Sequence, residues 1–356
     1  MSVVYPLREA MSISEIQDQV AGMTGQITVV VNDDTRPSPR RYLAALQPVL
    51  AGRARVLFAT GTHRPVTCRE GWSILGEGFA GNVVAESNMC TDGTHVHIGT
   101  TSRGTAVEIH PWLLEGPVLA VNTVEPHYFA GFTGGRKSFL PGVSSRKTIV
   151  QNHFLACLPG ALPGKLTGNP VHEDMMEGAA FLAERTEIIM VNGVFRSDTV
   201  FCGSFDTSFY KASEVAAVEC GVSVKERYAS LEIRPGRSLE ISLYQAMKAV
   251  FLWESAVEDG GELVLAAGCI EGLGASQMER LLLASSASIA VPRFHEEYLF
   301  GDHAAIRLQK IRNRISLSFR TGIDMKKFGF CVPPHSCKTV IENAGFSFPV
   351  METENA

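Results

Sequence analysis

Three short apolar runs in the first third of the chain, Ile27-Thr-Val-Val-Val31, Ala54-Arg-Val-Leu-Phe-Ala59 and Pro117-Val-Leu-Ala-Val121, constrain the fold more than any other feature. Runs of this length and β-branched content read as largely buried strands, the pattern of a parallel sheet. Each is followed by a polar, chemically loaded stretch: Asn32 to Arg36, Gly61 to Arg64, and Glu125 to Lys137. In open α/β sheets ligands bind beyond the carboxyl ends of the strands, so three such loops imply one shared crevice. Residues 39–50 and 144–157 read as helices, the second with Ile149, Val150, Phe154 and Cys157 as its apolar positions. Glu187-Ile-Ile-Met-Val191 reads as a fourth strand.

A chain of 356 residues exceeds the usual size of a single hydrophobic core, so two domains are expected. From about Val222 the pattern restarts. Residues 222–233 are followed by a turn at Arg234-Pro-Gly236, a helical stretch around Glu240 to Phe251, and a strand Glu262-Leu-Val-Leu-Ala-Ala267. The expected organisation is α/β: an N-terminal α/β domain over 1–220 carrying the loaded loops, and a C-terminal α/β domain over 221–356 closing a cleft. The tail Glu352-Thr-Glu-Asn-Ala356 is expected to be disordered.

Composition removes several function classes. A net charge of -5 offers no basic field for nucleic acid, which leaves small molecules as partners. The first residues, Met1-Ser-Val-Val-Tyr-Pro-Leu-Arg-Glu9, lack the apolar core of a signal peptide, and nowhere do about 18 apolar residues run together. The expectation is a cytoplasmic protein without a membrane partner. Eight cysteines occur without a CxxC pair, which argues against a zinc ribbon and for reduced, mostly buried thiols.

Several short motifs compete for attention. Gly134-Gly-Arg-Lys-Ser138 invites a phosphate-loop reading, but that pattern needs glycine directly before the lysine, and Arg136 stands there. The glycine pair still removes bulk and opens positive φ, which lets backbone N–H groups approach a phosphate. Ser144-Ser-Arg-Lys147 matches the Ser-x-x-Lys of penicillin-binding enzymes without its companion motifs and is set aside. A lone histidine in a loop is usually a capping or core group. His63, His127 and His153 are different as a set, because each neighbours a cation or a glycine cluster of the kind anionic ligands need. His95, His97, His110, His172, His295, His303 and His335 lack such company and read as structural or exposed.

Arg36 follows Asp33, Asp34 and Thr35 and precedes Pro37; it can fork onto a carboxylate ligand or simply pair with Asp33 or Asp34. In Tyr244-Gln-Ala-Met-Lys248 helical spacing puts Lys248 beside both Tyr244 and Gln245, with Leu243, Met247 and Val250 packing inward.

Together these motifs resemble the lactate racemase family, whose members carry the nickel-pincer nucleotide, a pyridinium mononucleotide holding nickel through two sulfurs and a ring carbon. The resemblance covers most of the chain: Asp33-Asp-Thr-Arg-Pro37, Gly61-Thr-His-Arg64, the block from His127 to Pro141, His153, and Tyr244-Gln245 with Lys248. It implies a racemase or epimerase of a 2-hydroxy acid, an isomerase with a cofactor and substrate cleft between its domains. Lys137 then matches the lysine that bonds covalently to the cofactor, and His153 the one protein ligand of nickel. His63 and His127 match the two acid/base histidines, which move the hydroxyl proton while hydride passes reversibly to the cofactor. Arg36 and Lys248 would hold the substrate carboxylate, with Gln245 and Tyr244 close by, and Asp33 would orient His63 or Arg36. Thr62, Thr133, Gly134, Gly135 and Ser138 are expected at the nucleotide phosphate. Proteins that build the cofactor are implied partners.

Two features depart from the family pattern: the span from Arg36 to His63 is short, and Glu296 to His303 lacks the tryptophan that lines the lactate pocket. Pocket shape therefore decides which acid is used. A nicotinamide-dependent dehydrogenase of a small hydroxy acid is the competing enzyme reading, disfavoured by the missing GxGxxG. A non-catalytic nickel or nucleotide carrier is the competing binding reading.

Overall fold

The computed structural model describes residues 11–236, 239–274, 277–284, 292–293, 295–331, 333 and 337–352. The segment Met1 to Glu9, His335 and the last four residues of the expected disordered tail lie outside them. The chain divides into two compact units: the first contains the chain up to Glu125, Phe132–Asn152 and Leu166–Glu219, and the second contains Pro126–Gly131, His153–Lys165 and the chain from Cys220 on.

The first unit is built on a six-stranded sheet. Its strands are β1 (Ile27–Asn32), β2 (Ala54–Ala59), β3 (Val84–Ser87), β4 (Val118–Val124), β5 (Ile188–Val194) and β6 (Val200–Gly203), in the order β6-β5-β4-β1-β2-β3. All neighbours are parallel except β6, which runs antiparallel to β5. The apolar runs form strands where expected because helices cover them: Val29, Val31, Leu119 and Val121 join Leu43 and Leu46 of α1 (Arg40–Leu50) in one buried cluster. Each such side chain contributes about 1.5–3 kcal/mol when fully buried. Gly193, inside β5, explains itself by contact, since a Cβ there would meet the Tyr42 hydroxyl of α1 at 2.1 Å.

The second unit has a four-stranded, all-parallel sheet made of β7 (Tyr228–Ile233), β8 (Val257–Ala266), β9 (Ser316–Arg320) and β10 (Val340–Ile341), in the order β9-β8-β7-β10. Against it packs α2 (Leu243–Trp253), whose Leu243, Met247 and Val250 are buried as helical spacing predicts. Trp253, fully buried at its end, donates its indole N–H to the Ala344 carbonyl at 3.1 Å. The molecule is α/β throughout, and no helix among the described residues is long and apolar enough to cross a membrane.

The cysteines correct one expectation. All eight are free, but only Cys157, Cys220 and Cys269 are buried, while Cys68 and Cys331 are exposed. Composition carries no information about which face of an element a thiol occupies.

Candidate functional site

In the first unit the loop after β1 folds on its own aspartate. Asp33 Oδ1 accepts from both the N–H (3.1 Å) and the hydroxyl (2.6 Å) of Thr35, a local turn that aspartate favours after a strand. Its other oxygen, Oδ2, lies 2.6 Å from His63 Nδ1. Asp33 is 4% exposed, and burial alone would raise its pKa. The His63 hydrogen bond and charge, with Thr35 and Arg36, outweigh that and hold the carboxyl below its ordinary range. With Nδ1–H given to an anion, a neutral His63 ring keeps its lone pair on Nε2. The loop carrying His63 is pinned by Gly61, whose φ of 55° and N–H donated to Gly142 O at 2.9 Å set the turn. Thr62 lies half-buried in that turn.

The Arg36 backbone N–H donates to the Asp33 carbonyl at 3.4 Å, but its side chain makes no hydrogen bond to Asp33 or Asp34. Its Nη1 donates to Glu125 Oε1 at 3.0 Å, across from the end of β4. Glu125 is itself buried and tied at its backbone, its N–H going to the Thr133 hydroxyl at 3.0 Å and its carbonyl accepting from Thr133 N at 2.8 Å. Sequence reasoning passed over Glu125, whose only signal was a carboxylate closing the run before His127.

The block from Gly134 to Ser138 forms a 3-10 turn that is packed inward. Gly135 N–H donates to Asn192 Oδ1 at 3.0 Å, Ser138 donates its hydroxyl to Asn122 Oδ1, and the Thr133 hydroxyl donates to Thr123 O at 3.1 Å. Gly134 and Gly135 have φ of 74° and 53°, and a Cβ on Gly135 would lie 2.5 Å from the Phe209 ring. Gly135→Ala is therefore expected to destabilise the protein by about 2–4 kcal/mol, from a strained φ plus overpacking. Denaturant unfolding followed by circular dichroism checks this, and an unchanged midpoint would refute it. Arg136 turns out to be fully buried, donating to Phe132 O at 2.9 Å and lying 4.1 Å over the Phe209 ring. Burial pushes its guanidinium down to about 9, which still leaves it charged at neutral pH. Lys137, next to this anchor, is half-buried.

The second unit brings together His127, His153 and a residue the sequence gave no reason to choose, His303. His127 is 6% exposed and stacks on Tyr128 at 5.0 Å and 17°. Its Nδ1 accepts from the N–H groups of Phe129 (3.4 Å) and Ala130 (3.2 Å), so a neutral ring carries its proton on Nε2. Phe129 stands edge-on to both His127 (4.5 Å) and His153 (5.2 Å). His153 occupies the last turn of the helix Arg146–Phe154 and lies 5.6 Å from Phe300 and 5.8 Å from His303. His303 is wedged between the hydroxyls of Tyr298 (2.6 Å) and Tyr128 (3.3 Å); burial and the Arg307 charge push it down to about 3, so the ring is neutral. Nothing in the run Phe300-Gly-Asp-His303 marks it in advance.

On α2, Tyr244 and Lys248 line a pocket of the second unit together with Tyr128, Phe251 and Phe300. Gln245 does not line it; its Oε1 is buried.

Among the described residues no three His, Cys, Asp or Glu side chains cluster as a metal site. His153 lies among the rings of Phe129, Phe300 and His303 with no carboxylate or thiol completing a three-residue cluster among the described residues. That donor set suits a nickel ion arriving with its other donors in place and does not suit one held by protein alone.

Residues 5–161 match the lactate racemase N-terminal domain model. The chain is 30% identical over 284 residues to the lactate racemase of Thermoanaerobacterium thermosaccharolyticum, covering 75% of this chain, and 31% identical over 282 residues to that of Lactiplantibacillus plantarum, covering 73%. It spans 65% and 64% of the lengths of these two relatives, just under two thirds. The solved lactate racemase apoprotein of T. thermosaccharolyticum superposes with a TM-score of 0.82 at 25% identity, covering 98% of this chain and 94% of that one. A Thermotoga maritima structure shares the fold at a TM-score of 0.76 and 16% identity, over 98% of this chain and 100% of that one. With the domain match, both relatives and the superposed structure in agreement, residues 5–161 are a lactate racemase N-terminal domain and the chain as a whole is similar to lactate racemases.

Proposed function

We propose that this chain is a racemase or epimerase of a 2-hydroxy acid, working with a nickel-pincer nucleotide and two histidines. The observation that carries the reading is the His63–Asp33 pair at 2.6 Å, which leaves Nε2 of His63 as a proton acceptor. His127 has the opposite arrangement, with its Nε2 carrying the hydrogen. One ring ready to accept and one ready to donate is what a reaction needs that removes a hydroxyl proton and later restores it. The names of the two lactate racemase relatives support the substrate class.

In this reading His153 is the protein ligand of nickel, and Lys137, Thr62, Thr133, Gly134, Gly135 and Ser138 form the nucleotide-binding set. Because Thr133, Gly135 and Ser138 already bond within the protein, their part is to shape the loop that presents Lys137. The chemistry that the nucleotide supplies when bound is reversible acceptance of the α-hydrogen as hydride. The remaining steps fall to side chains. Arg36, steadied by Glu125, and Lys248, with Tyr244 and Gln245 nearby, hold the substrate carboxylate so that the 2-keto acid stays bound while it turns over. His63 takes the hydroxyl proton and His127 returns one, or the reverse, depending on the starting enantiomer. Proteins that make the nucleotide are required partners, and nucleic acid is not one, given the net charge of -5.

The test is to produce the chain alongside the cofactor-making proteins and follow single enantiomers of 2-hydroxy acids by chiral chromatography. Interconversion together with a mass adduct on Lys137 is the expected result. Cofactor-loaded protein that leaves every enantiomer unchanged would refute the assignment.

A further inference from the structure

The second unit holds another cavity, of about 240 Å³, which among the described residues shares only His303 with the pocket of Tyr244 and Lys248. One wall is the loop from Ala156 to Leu162, and the facing wall is the helix Asp302–Arg314 with Glu254 beside it. The loop wall is stiff. Pro159 has a fixed φ, and Gly160 takes a φ of 93° that a residue with a side chain rarely adopts. Leu158, Ala161, Ile306 and Ile311 make much of the lining apolar.

The charged groups of the lining are mostly cations. Arg307, Lys310 and Arg314 follow at spacings of three and four on the helix, so they share one face, and the lining sets a single carboxylate, Glu254, against them. Glu254 is divided between two of the three, 2.7 Å from Arg314 and 3.5 Å from Arg307. Arg314 has a further carboxylate in Asp259 at 3.2 Å, and Arg307 donates to the carbonyls of Tyr128 and Phe251. Lys310, between them in sequence, is exposed and forms no ion pair with a described residue. On the loop wall, burial and then the Asp302 charge push the Cys157 thiol up to about 12 against the opposing pull of Lys310, so that wall adds no negative charge at neutral pH.

We infer that this cavity is a binding site for a small monocarboxylate with an apolar chain, the carboxylate at Lys310 and the chain between the loop and the helix. Pockets for drug-sized ligands measure roughly 300–1,000 Å³, so the occupant here is smaller. An inorganic anion would reach Lys310 but leave the apolar walls uncovered. A neutral chain would cover the walls and leave the excess positive charge unanswered, and an ammonium would add to it. The second group of a dicarboxylate would be desolvated against Leu158 and Ile311 without a partner.

The experiment is a ligand-observed NMR titration of the full chain with hexanoate, 1-hexanol, hexylamine and inorganic phosphate at neutral pH, repeated for Lys310→Glu and Ala161→Phe after circular dichroism has verified that each is folded. Hexanoate is expected to bind at least about five-fold tighter than the other three, the scale of one solvent-exposed charge pair. Lys310→Glu should erase the advantage of hexanoate over 1-hexanol, and Ala161→Phe, which fills the space, should weaken both. Because Lys310 is exposed, its substitution leaves the fold intact and decides the matter even if Ala161→Phe fails to fold. The inference is overturned if hexanoate does not bind, if 1-hexanol, hexylamine or phosphate matches it on the unmodified chain, or if Lys310→Glu binds hexanoate as tightly as the unmodified chain. That last result would seat the carboxylate elsewhere, as beside Lys248.

Discussion

His63→Ala and His127→Ala are each expected to lower kcat for racemisation by about 10²–10⁴-fold, the usual contribution of a positioned acid or base. The two substitutions should differ in everything else. The His63 side chain is 37% exposed and held by one carboxylate, so its removal should leave the melting temperature nearly unchanged. His127 is packed between Tyr128 and Phe129, and its loss opens a cavity in an aromatic cluster. His127→Phe, which keeps the packing and removes the nitrogens, separates the two effects and should be as inactive as His127→Ala but more stable. Asp33→Asn removes the anion that fixes the His63 tautomer while leaving the loop intact, and should lower kcat with little change in KM. Steady-state kinetics from each enantiomer decide the matter. Activity within a few-fold of the unmodified chain in both His63→Ala and His127→Ala would end the proton-transfer assignment.

Loss of nearly all nickel is expected from His153→Ala when the protein is loaded with cofactor, measured by elemental analysis against protein concentration. No group of three metal-binding side chains exists among the described residues to hold nickel in its place. The ring sits at the end of a helix against the rings of Phe129, Phe300 and His303. Far-UV circular dichroism should therefore stay native. Equal nickel content in His153→Ala and the unmodified chain would exclude this ligand, whatever the activity.

Legibility followed the physics of each feature. The strands Ile27–Asn32 and Ala54–Ala59 were readable because burial on both faces demands an unbroken apolar run. The face of α2 bearing Tyr244 and Lys248 was readable because helical spacing is local. The antiparallel pair Val96–Thr100 and Ala106–Ile109 was not, since the first strand is largely exposed with only Ile98 buried and the second, though Val107 and Ile109 are buried in alternation, is just four residues long. Arg136 shows the limit most clearly: as a residue type it belongs on the surface, and contacts such as the Phe209 ring and the carbonyls of Phe132 and Gly134 make its complete burial tolerable.

By itself the amino-acid order determined the α/β class, the loops that follow the strands, and the likeness to lactate racemases, because these rest on short-range pattern. Only tertiary structure decided that Glu125 rather than Asp33 or Asp34 pairs with Arg36, that Asp33 turns to His63, and that His303 joins His153 and Phe129. Those contacts join residues far apart along the chain, such as Arg36 and Glu125 at a separation of 89, and their partners are selected by burial and distance in the folded state, which no local pattern encodes.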